Sequence, residues 1–459
     1  MVLDHIAKQF LTKTPFAFLS RVLFERALPD SLIDELFEQH SSLQYTRELL
    51  FSSVVDLLSD VVCRGARSVG SAYAQRERTA PVPVSVTSVY NKLNHIEPAV
   101  SAALVSTSAR QLAPLIQLLR EQEPLIPGVR CKIVDGNHFS ATERRLKVHR
   151  GIKPPPLPAQ VLALYDPQAD LVTDIVPCED AHAQERRMTE ELLALIRPGE
   201  CVIADRNFCT MRILFGLQEK AAFFIVRQHG LTLRWELEGE RQSLGECETG
   251  RLFEQAMVLE SKDGSVMRIR RITIELFKPT RDGHNEIHIL TNLPNAIADA
   301  RTIAQVYRKR WQLEHVFLDL TVALQCEIKT LGYPRAALLG FAVAVMTYNV
   351  LSGLRAAVRA EHGEEEAEQL SLYYVTEEQK LTMKGMALIL PPKKWKWCRT
   401  CTAEELVEVL RVGVRAAKME TYRKHVRGPK KRSPKRNPYG TQLHVSTAQL
   451  LAKARNNSP

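Results

Sequence analysis

The chain between Arg130 and Gln228 contains five short apolar runs, and this series constrains the fold more than any other feature. Each run has the length and β-branched content of a buried strand. In order, the runs are CKIVDG, AQVLALYD, LVTDIVP, CVIAD and AAFFIVRQ. Two stretches with helical periodicity, HAQERRMTEELLALI and TMRILFGLQEK, precede the last two runs. The sequence therefore predicts the order β-β-β-α-β-α-β, with a hairpin of the second and third strands, in an α/β domain.

Two of the predicted strands end in an aspartate, Asp135 after KIV and Asp205 after VIA. Functional groups gather at the carboxyl ends of the strands in open α/β sheets. If the first and fourth strands are neighbours, we expect the two carboxylates to converge. The alternative is that each aspartate only forms a turn, which is the commoner role of a single aspartate after a strand.

A third carboxylate, Glu314, lies in the helical stretch YRKRWQLEHVFLDL. Three carboxylates supply the hard oxygen ligands that Mg²⁺ prefers and leave positions open for water and phosphate. Two such ions, about 3.5–4 Å apart, activate the attacking oxygen and stabilise the leaving oxygen in phosphoryl chemistry. The three acids therefore predict a two-metal site that needs no histidine or cysteine.

Tyr307 and Arg310 precede Glu314 by steps that keep all three residues on one helix face. An arginine can form a two-pronged contact with phosphate, and a tyrosine hydroxyl can donate to it. The alternative is an exposed Arg310–Glu314 ion pair, which would contribute little to stability.

These residues resemble the DDE transposases of bacterial insertion sequences, in particular the branch with a β-rich insertion and a Tyr-x2-Arg-x3-Glu-x6-Lys signature. The resemblance covers about residues 130 to 357. It rests on VDGNH at Asp135, ADRNF at Asp205, and the signature residues Tyr307, Arg310 and Glu314, with Thr321 in place of the lysine.

The resemblance implies an RNase H-like catalytic core with a β insertion before the glutamate helix. It also implies two Mg²⁺ ions, with Mn²⁺ as a substitute, and a dimer that acts on double-stranded element ends and target DNA. Better-known members form a hairpin intermediate, in which an aromatic residue of the insertion stacks on a flipped base. Trp235 is the only tryptophan of this insertion, and packing in a core is its alternative role.

The resemblance also assigns Arg206 and Asn207, which follow the second aspartate, to DNA contact. The family's lysine helps to hold end DNA, so Thr321 makes the hairpin step and full activity less secure than the metal chemistry. Lys329, about two turns further along and near the predicted helix end, is a candidate substitute.

Three regions are predicted along the chain. Residues 1–127 form a helical domain that could bind DNA, with Ser88, Tyr90, Asn91 and Lys92 on polar faces of a short helix. Residues 128–357 form the catalytic domain, with the β-rich insertion at about 229–292. Residues 358–459 form a mixed helical region with a basic tail. The stretch RGARSVGSAYAQRERTAPVPVS is predicted to be a linker. Residues 296–325 are predicted to form one helix.

The net charge of +10 favours a polyanionic partner. The tail from Arg423 to Arg436 holds eight lysines or arginines and no acid, and we expect it to contact the DNA backbone or only to aid solubility. Nine scattered cysteines do not indicate a disulfide framework. With no recognisable signal peptide or membrane span, a soluble protein of the bacterial cytoplasm, associated with the nucleoid, is expected.

Three functions are therefore open. The first is an active transposase, and the second is a catalytically inactive, domesticated DNA-binding protein of the same fold. The third is a nuclease of that fold without strand transfer. The complete acid triad favours an active enzyme over the second alternative, whereas Thr321 is the only local sign of lost function.

Overall fold

The computed structural model describes residues 4–46, 48–77, 81–120, 123–229, 233–280, 283–425 and 444–456. Seven helices precede the first strand in the described residues. They are α1 His5–Lys13, α2 Pro15–Ala27, α3 Asp30–His40, α4 Phe51–Val62, α5 Val69–Arg76, α6 Val86–His95 and α7 Pro98–Leu118.

The next part of the chain has the predicted order β-β-β-α-β-α-β with one unpredicted addition, the short β2, which pairs outside this sheet. The elements are β1 Arg130–His138, the two-residue β2 Pro156–Leu157, β3 Gln160–Asp166, β4 Leu171–Cys178, α8 Thr189–Leu195, β5 Glu200–Ala204, α9 Met211–Glu219 and β6 Phe223–Arg227. In the sheet, β3 and β4 form the predicted antiparallel hairpin, and β1 lies parallel to β5, which lies parallel to β6. The strand order β4-β3-β1-β5-β6 places the carboxyl ends of β1 and β5 side by side.

The β-rich block that follows extends this sheet. Its strands are β7 Trp235–Cys247, β8 Gly250–Glu260, β9 Val266–Leu276 and β10 Glu286–Thr291. Although β10 is last in sequence, it pairs antiparallel with β6, with Leu290 opposite Val226. The block therefore completes a nine-stranded sheet in the order β4-β3-β1-β5-β6-β10-β9-β8-β7. The insertion therefore shares a continuous sheet with β6, the strand that neighbours β5 and hence Asp205.

Helices make up most of the remainder. They are α10 Ala300–Arg308, α11 Trp311–Val322, α12 Pro334–His362, α13 Glu364–Gln369, α14 Leu372–Ile389, α15 Trp397–Thr400 and α16 Ala403–Ala416, followed by β11 Val445–Ser446 and α17 Thr447–Asn456. As the sequence predicts, a capping box formed by Thr402 and Glu405 begins α16.

The core is centred on α12. This helix packs against three helices that precede the sheet in sequence, α2, α4 and α7, and against one later helix, α16. By length and composition α12 could cross a membrane, with a mean hydropathy of 1.7 in its most apolar window, but that window is almost entirely buried in the protein. Helix α12 is thus the central core helix, and it joins the N-terminal and C-terminal helices in one hydrophobic cluster.

Two predictions about helices are wrong. The expected linker contains α5, because Ser68 and Ser71 form a capping box and Val69 and Ala72 are buried. The single helix expected at 296–325 is two helices, α10 and α11, because the amide of Arg310 bonds three residues back, to Tyr307, and interrupts the α-helical ladder.

In the N-terminal region, two polar residues suggested for DNA contact are engaged within the protein. The Tyr90 hydroxyl accepts from the amide of Gly70, and Lys92 Nζ donates to the carbonyl of Leu49. A DNA-binding role for residues 1–127 stays a prediction that rests on exposed positions of α6 such as Asn91.

Candidate active site

Asp135 and Asp205 lie side by side at the carboxyl ends of β1 and β5. The parallel register ends with the pair Val134–Ala204, and the next residue of each chain segment is the aspartate. Asp205 directly follows the end of β5, whereas β1 does not end at Asp135 as predicted but continues to His138, paired with β3. Neighbouring strands are roughly 4.8 Å apart, and residues at equal register in a parallel pair face the same side of the sheet. The register therefore places the two carboxylates together, as expected if β1 and β5 are neighbours.

Arg310 joins the first aspartate to the glutamate. Its guanidinium contacts Oδ2 of Asp135 and Oε1 of Glu314, each at 3.2 Å. Helix α11 packs against β1, which brings Glu314, in the first turn of α11, to the same edge. The i,i+4 pair of the alternative is present but only partly exposed, since the side chain of Arg310 is 10% exposed and that of Glu314 39%, and Arg310 is shared with Asp135.

The environment of Asp135 disfavours its charged form. Burial raises the pKa of Asp135 to about 6; the guanidinium of Arg310 opposes this rise, and the charges of Asp205 and Glu314 add to it. Asp135 also accepts a bond from the amide of Gly136. One guanidinium therefore does not offset the negative charge that this edge of the sheet collects.

Sequence reasoning missed a fourth carboxylate at this edge, Glu185. It begins the short turn of 3-10 helix that leads from β4 into α8. Burial raises the pKa of Glu185 to about 7, the charges of Asp205 and Asp135 add to this rise, and the nearby side-chain amide of Asn207 opposes it. No strand end or spacing marks this residue, and its only sequence signal is the glycine of VDGNH, Gly136, against which its carboxylate lies.

The residues after Asp205 form a short 3-10 turn. Oδ1 of Asp205 accepts from the amide of Asn207 at 2.8 Å and so fixes the start of the turn. Arg206 and Asn207 are both exposed. Tyr307 is half-buried, and burial raises the pKa of its hydroxyl, which lies within electrostatic range of Arg310, Arg227 and Asp205.

A cavity of about 560 Å³ opens beside this edge, between β6 and the insertion. Trp235 lines it and is 38% exposed, and the guanidinium of Arg271 lies 5.7 Å from the centre of its ring. Burial lowers the pKa of His288 to about 4, so this histidine is neutral near pH 7 and the positive charge of the cavity comes from its arginines. The cavity is lined by Arg206, Arg227, Gln228, His229, Trp235, Arg271, His284, Asn285, Glu286 and His288.

Thr321 stands where the signature has lysine, and Lys329 is the candidate substitute for that lysine. Thr321 is exposed on α11, and its hydroxyl bonds back to the carbonyl of Phe317. Lys329 was expected near the helix end, but α11 ends at Val322, and Lys329 lies in the following loop. Lys329 is exposed there, which leaves its ammonium accessible.

A mixed sheet of this order, with acids at the ends of its central strands, is compatible with an RNase H-like transposase domain. Residues 131–350 match the family model described as Transposase DDE domain. The match covers 220 of the 459 residues, runs from β1 into α12 and contains all three acids. It supports a place for the chain among the DDE transposases, enzymes that act on DNA. No curated protein matches the chain.

DDE transposases generally use divalent metal ions, and the donors at this edge are of the kind that Mg²⁺ prefers. In the described residues, no group of three acidic, histidine or cysteine side chains is arranged to hold an ion as it stands. Arg310 lies between Asp135 and Glu314, so these two carboxylates share a cation of the protein itself. The buried Nε of Arg310 has no partner among the described residues. The chemistry of the donors thus fits a metal once Arg310 finds another anion.

Proposed function

We propose that the chain is the transposase of a bacterial insertion sequence, which cuts and joins DNA with two Mg²⁺ ions held by Asp135, Asp205 and Glu314. Mn²⁺ would substitute for Mg²⁺. The observation that carries the proposal is the position of Arg310 between Asp135 and Glu314, with Asp205 at the same register on the next strand. A merely structural ion pair does not require further carboxylates around it, whereas Asp205 and Glu185 both lie within electrostatic range of Asp135.

Arg310 exchanges partners in this mechanism. In the protein alone, its charge offsets part of the repulsion among the carboxylates. When DNA binds, the guanidinium turns to a backbone phosphate, for which its unpartnered Nε supplies a donor. A guanidinium suits this exchange, because its planar fork matches phosphate as well as carboxylate.

The other residues orient and polarise the DNA. The metal ions, when bound, would lower the pKa of a water or hydroxyl and stabilise the leaving oxygen. Asp135 and Asp205 hold fixed positions on adjacent strands, and Tyr307 donates a hydrogen bond to the phosphate next to the one that is cut. Arg206 and Asn207 are exposed beside Asp205 and contact the same DNA strand.

Trp235 is proposed to stack on a base that leaves the duplex during a hairpin step. The cavity that it lines offers an aromatic ring and three arginines, which suit a base and its phosphate. Aromatic side chains stack on any base, because every base has a π-face. In the protein alone Arg271 covers the ring, so the base would displace a cation already placed over the tryptophan.

The partners are the double-stranded element ends and the target DNA, bound by a dimer in the bacterial cytoplasm. An inactive DNA-binding protein and a nuclease without strand transfer are the two alternatives. The proposal is tested with labelled duplexes that carry the element's own ends, supplied with Mg²⁺, by following nicks, hairpins and joined products. Joined products support a transposase; cleavage without joining favours the nuclease.

The matched variants are Asp205→Asn and Asp263→Asn, the second at an exposed turn between β8 and β9. We expect Asp205→Asn to abolish cleavage and to leave DNA affinity nearly unchanged, because affinity comes mainly from basic groups on phosphates. Asp263→Asn should cleave like the wild type. Normal Mg²⁺-dependent cleavage by Asp205→Asn would overturn the assignment.

A further inference from the structure

We infer that Glu185 is a fourth carboxylate of the catalytic centre, which helps to bind the metal at Asp135 and Asp205. The inference rests on the proposed function, since it concerns the same metal site. It adds a residue from the connection between β4 and α8, outside the acid triad that the sequence indicates.

The contact with Gly136 places Glu185 beside the first aspartate. A Cβ atom built on Gly136 would lie 2.2 Å from Oε1 of Glu185 and 3.1 Å from its Cδ. The carboxylate therefore occupies the space that any other side chain at position 136 would fill. Because successive residues of a strand face opposite sides of the sheet, Glu185 approaches β1 from the side opposite to the Asp135 side chain, at the edge where the two aspartates lie.

Glu185 also lies within electrostatic range of the second aspartate, Asp205, whose charge opposes ionisation of the Glu185 carboxyl. Asp205 itself accepts from the Asn207 amide. Among the described residues, no lysine, arginine or histidine forms an ion pair with Glu185, and Arg310 is engaged by the other two acids. A half-buried carboxylate near two others, with no cation paired to it, is stabilised either by a proton or by a bound cation.

A purely structural role explains these observations less well. A carboxylate that only held the turn before α8 would be better placed against a cation or several amides, since repulsion from Asp135 and Asp205 opposes its charge. A metal ion between the three carboxylates removes that repulsion. The structural role and the metal-binding role therefore predict opposite changes in the stability of the metal-free protein.

The test uses the full chain, freed of metal at pH 8, and follows Mn²⁺ binding by electron paramagnetic resonance. Glu185→Gln is compared with Glu191→Gln, which removes an exposed carboxylate from α8 that forms no ion pair among the described residues. We expect Glu185→Gln to weaken Mn²⁺ binding about 10- to 100-fold. Glu191→Gln should bind as the wild type does.

Thermal unfolding supplies the second readout. Without metal, Glu185→Gln should melt at a higher temperature than the wild type, because one of three repelling charges is gone. With saturating Mn²⁺ the order should reverse. A lower melting temperature without metal, together with an unchanged Mn²⁺ affinity, would show that Glu185 is only structural and would overturn the inference.

Gly136→Ala tests the geometry independently. The backbone of Gly136 does not have a positive φ, so alanine is not strained there, but its Cβ must displace the flexible end of Glu185. We expect Gly136→Ala to weaken Mn²⁺ binding as Glu185→Gln does. In a Glu185→Ala background, Gly136→Ala should cause no further loss. A full additional loss there would show that the glycine acts through something other than Glu185.

Asp205→Asn separates this inference from the proposed function. If Asp205→Asn loses Mn²⁺ binding while Glu185→Gln binds like Glu191→Gln, only the role of Glu185 fails. If Asp205→Asn binds Mn²⁺ normally, the metal site of the proposed function fails, and the inference fails with it.

Discussion

The guanidinium of Arg310 donates to the carboxylate of Asp135 over 3.2 Å, although the two residues are 175 positions apart in the chain. The contact joins the first strand of the sheet to the turn between α10 and α11. The same guanidinium lies 3.2 Å from Glu314, so one cation is shared by two of the three proposed metal ligands. In the protein without metal or DNA, the positive charge of Arg310 therefore stabilises the carboxylates of Asp135 and Glu314.

Replacing Arg310 by alanine should lower DNA cleavage by about 10²- to 10³-fold, the usual loss when a charged donor to the transition state is removed. The protein should remain folded, although in EDTA its melting temperature should fall, because Asp135 loses its cation. Lysine should restore activity only in part, since it is a point charge without a fork. Cleavage rate and thermal unfolding are measured on the same preparations.

Arg308→Ala is the control for this experiment. It removes an equal charge from the neighbouring turn of α10, where Arg308 pairs with the exposed Glu248. That variant should cleave within a few-fold of the wild type. If Arg310→Ala cleaves as well as Arg308→Ala, the signature match is a coincidence.

The stability of the metal-free protein should depend on pH through Asp135. Its pKa is about 6 in the folded protein, against roughly 3.9 for an unfolded chain. The folded state thus binds the proton more tightly, so this contribution is present at low pH and is lost as pH rises from about 4 to 6. Relative to Asp135→Asn, the free energy of unfolding should fall by on the order of 1–3 kcal/mol across that window.

Urea unfolding in EDTA at several pH values measures this difference. Mn²⁺ should cancel it above pH 6, because a metal ion favours the charged carboxylate. Parallel pH profiles for the wild type and Asp135→Asn would show that the carboxyl is not perturbed by its neighbours.

The order of strands and the positions of Asp135 and Asp205 could be predicted because they depend on local signals. Each aspartate directly follows a short apolar run, although only Asp205 follows the end of its strand, since β1 continues to His138. Arg310 and Glu314 could be placed together because they are four residues apart. These signals require no knowledge of long-range contacts.

Glu185 could not be predicted, because its position depends on contacts across the fold. It lies in a connection between elements, and only the packing of that connection against Gly136 brings it to the aspartates. The break between α10 and α11 was missed for a related reason. The composition there favours a continuous helix, and the interruption coincides with the burial of Arg310 against a strand far away in sequence.

Trp235→Ala should leave the first nick intact and slow the formation of a hairpin. Stacking on one base contributes about 1–3 kcal/mol, which corresponds to a loss of roughly 5- to 150-fold in that step. Phenylalanine should restore most of the rate, because it retains an aromatic face. Denaturing gels separate nicked from hairpin DNA, and a normal hairpin rate in the alanine variant would leave Trp235 with a packing role alone.

The basic tail requires a substitution experiment, because the chain after it packs back against the segment around β2. Strand β11 pairs with β2, and Thr447 contacts the buried His149. Removing everything from Arg423 onward would therefore also remove a docked strand and helix. Of the eight basic residues, Arg423 pairs with Glu366, and Lys424 donates to the carbonyl of Glu368. The other six lie outside the described residues.

Replacing those six basic residues of 427–436 by glutamine or serine, with the residues after the tail retained, should weaken DNA binding and reduce its dependence on salt. Each phosphate contact contributes about −0.9 to the slope of log K against log salt, so the slope should become less negative by up to about five units if all six engage. Arg423→Gln should change it little, because that arginine is already paired. Binding of a labelled duplex at several salt concentrations measures the slope. An unchanged slope in the six-fold variant would show that the tail only aids solubility and that the affinity comes from the arginines around the cavity and the acidic edge.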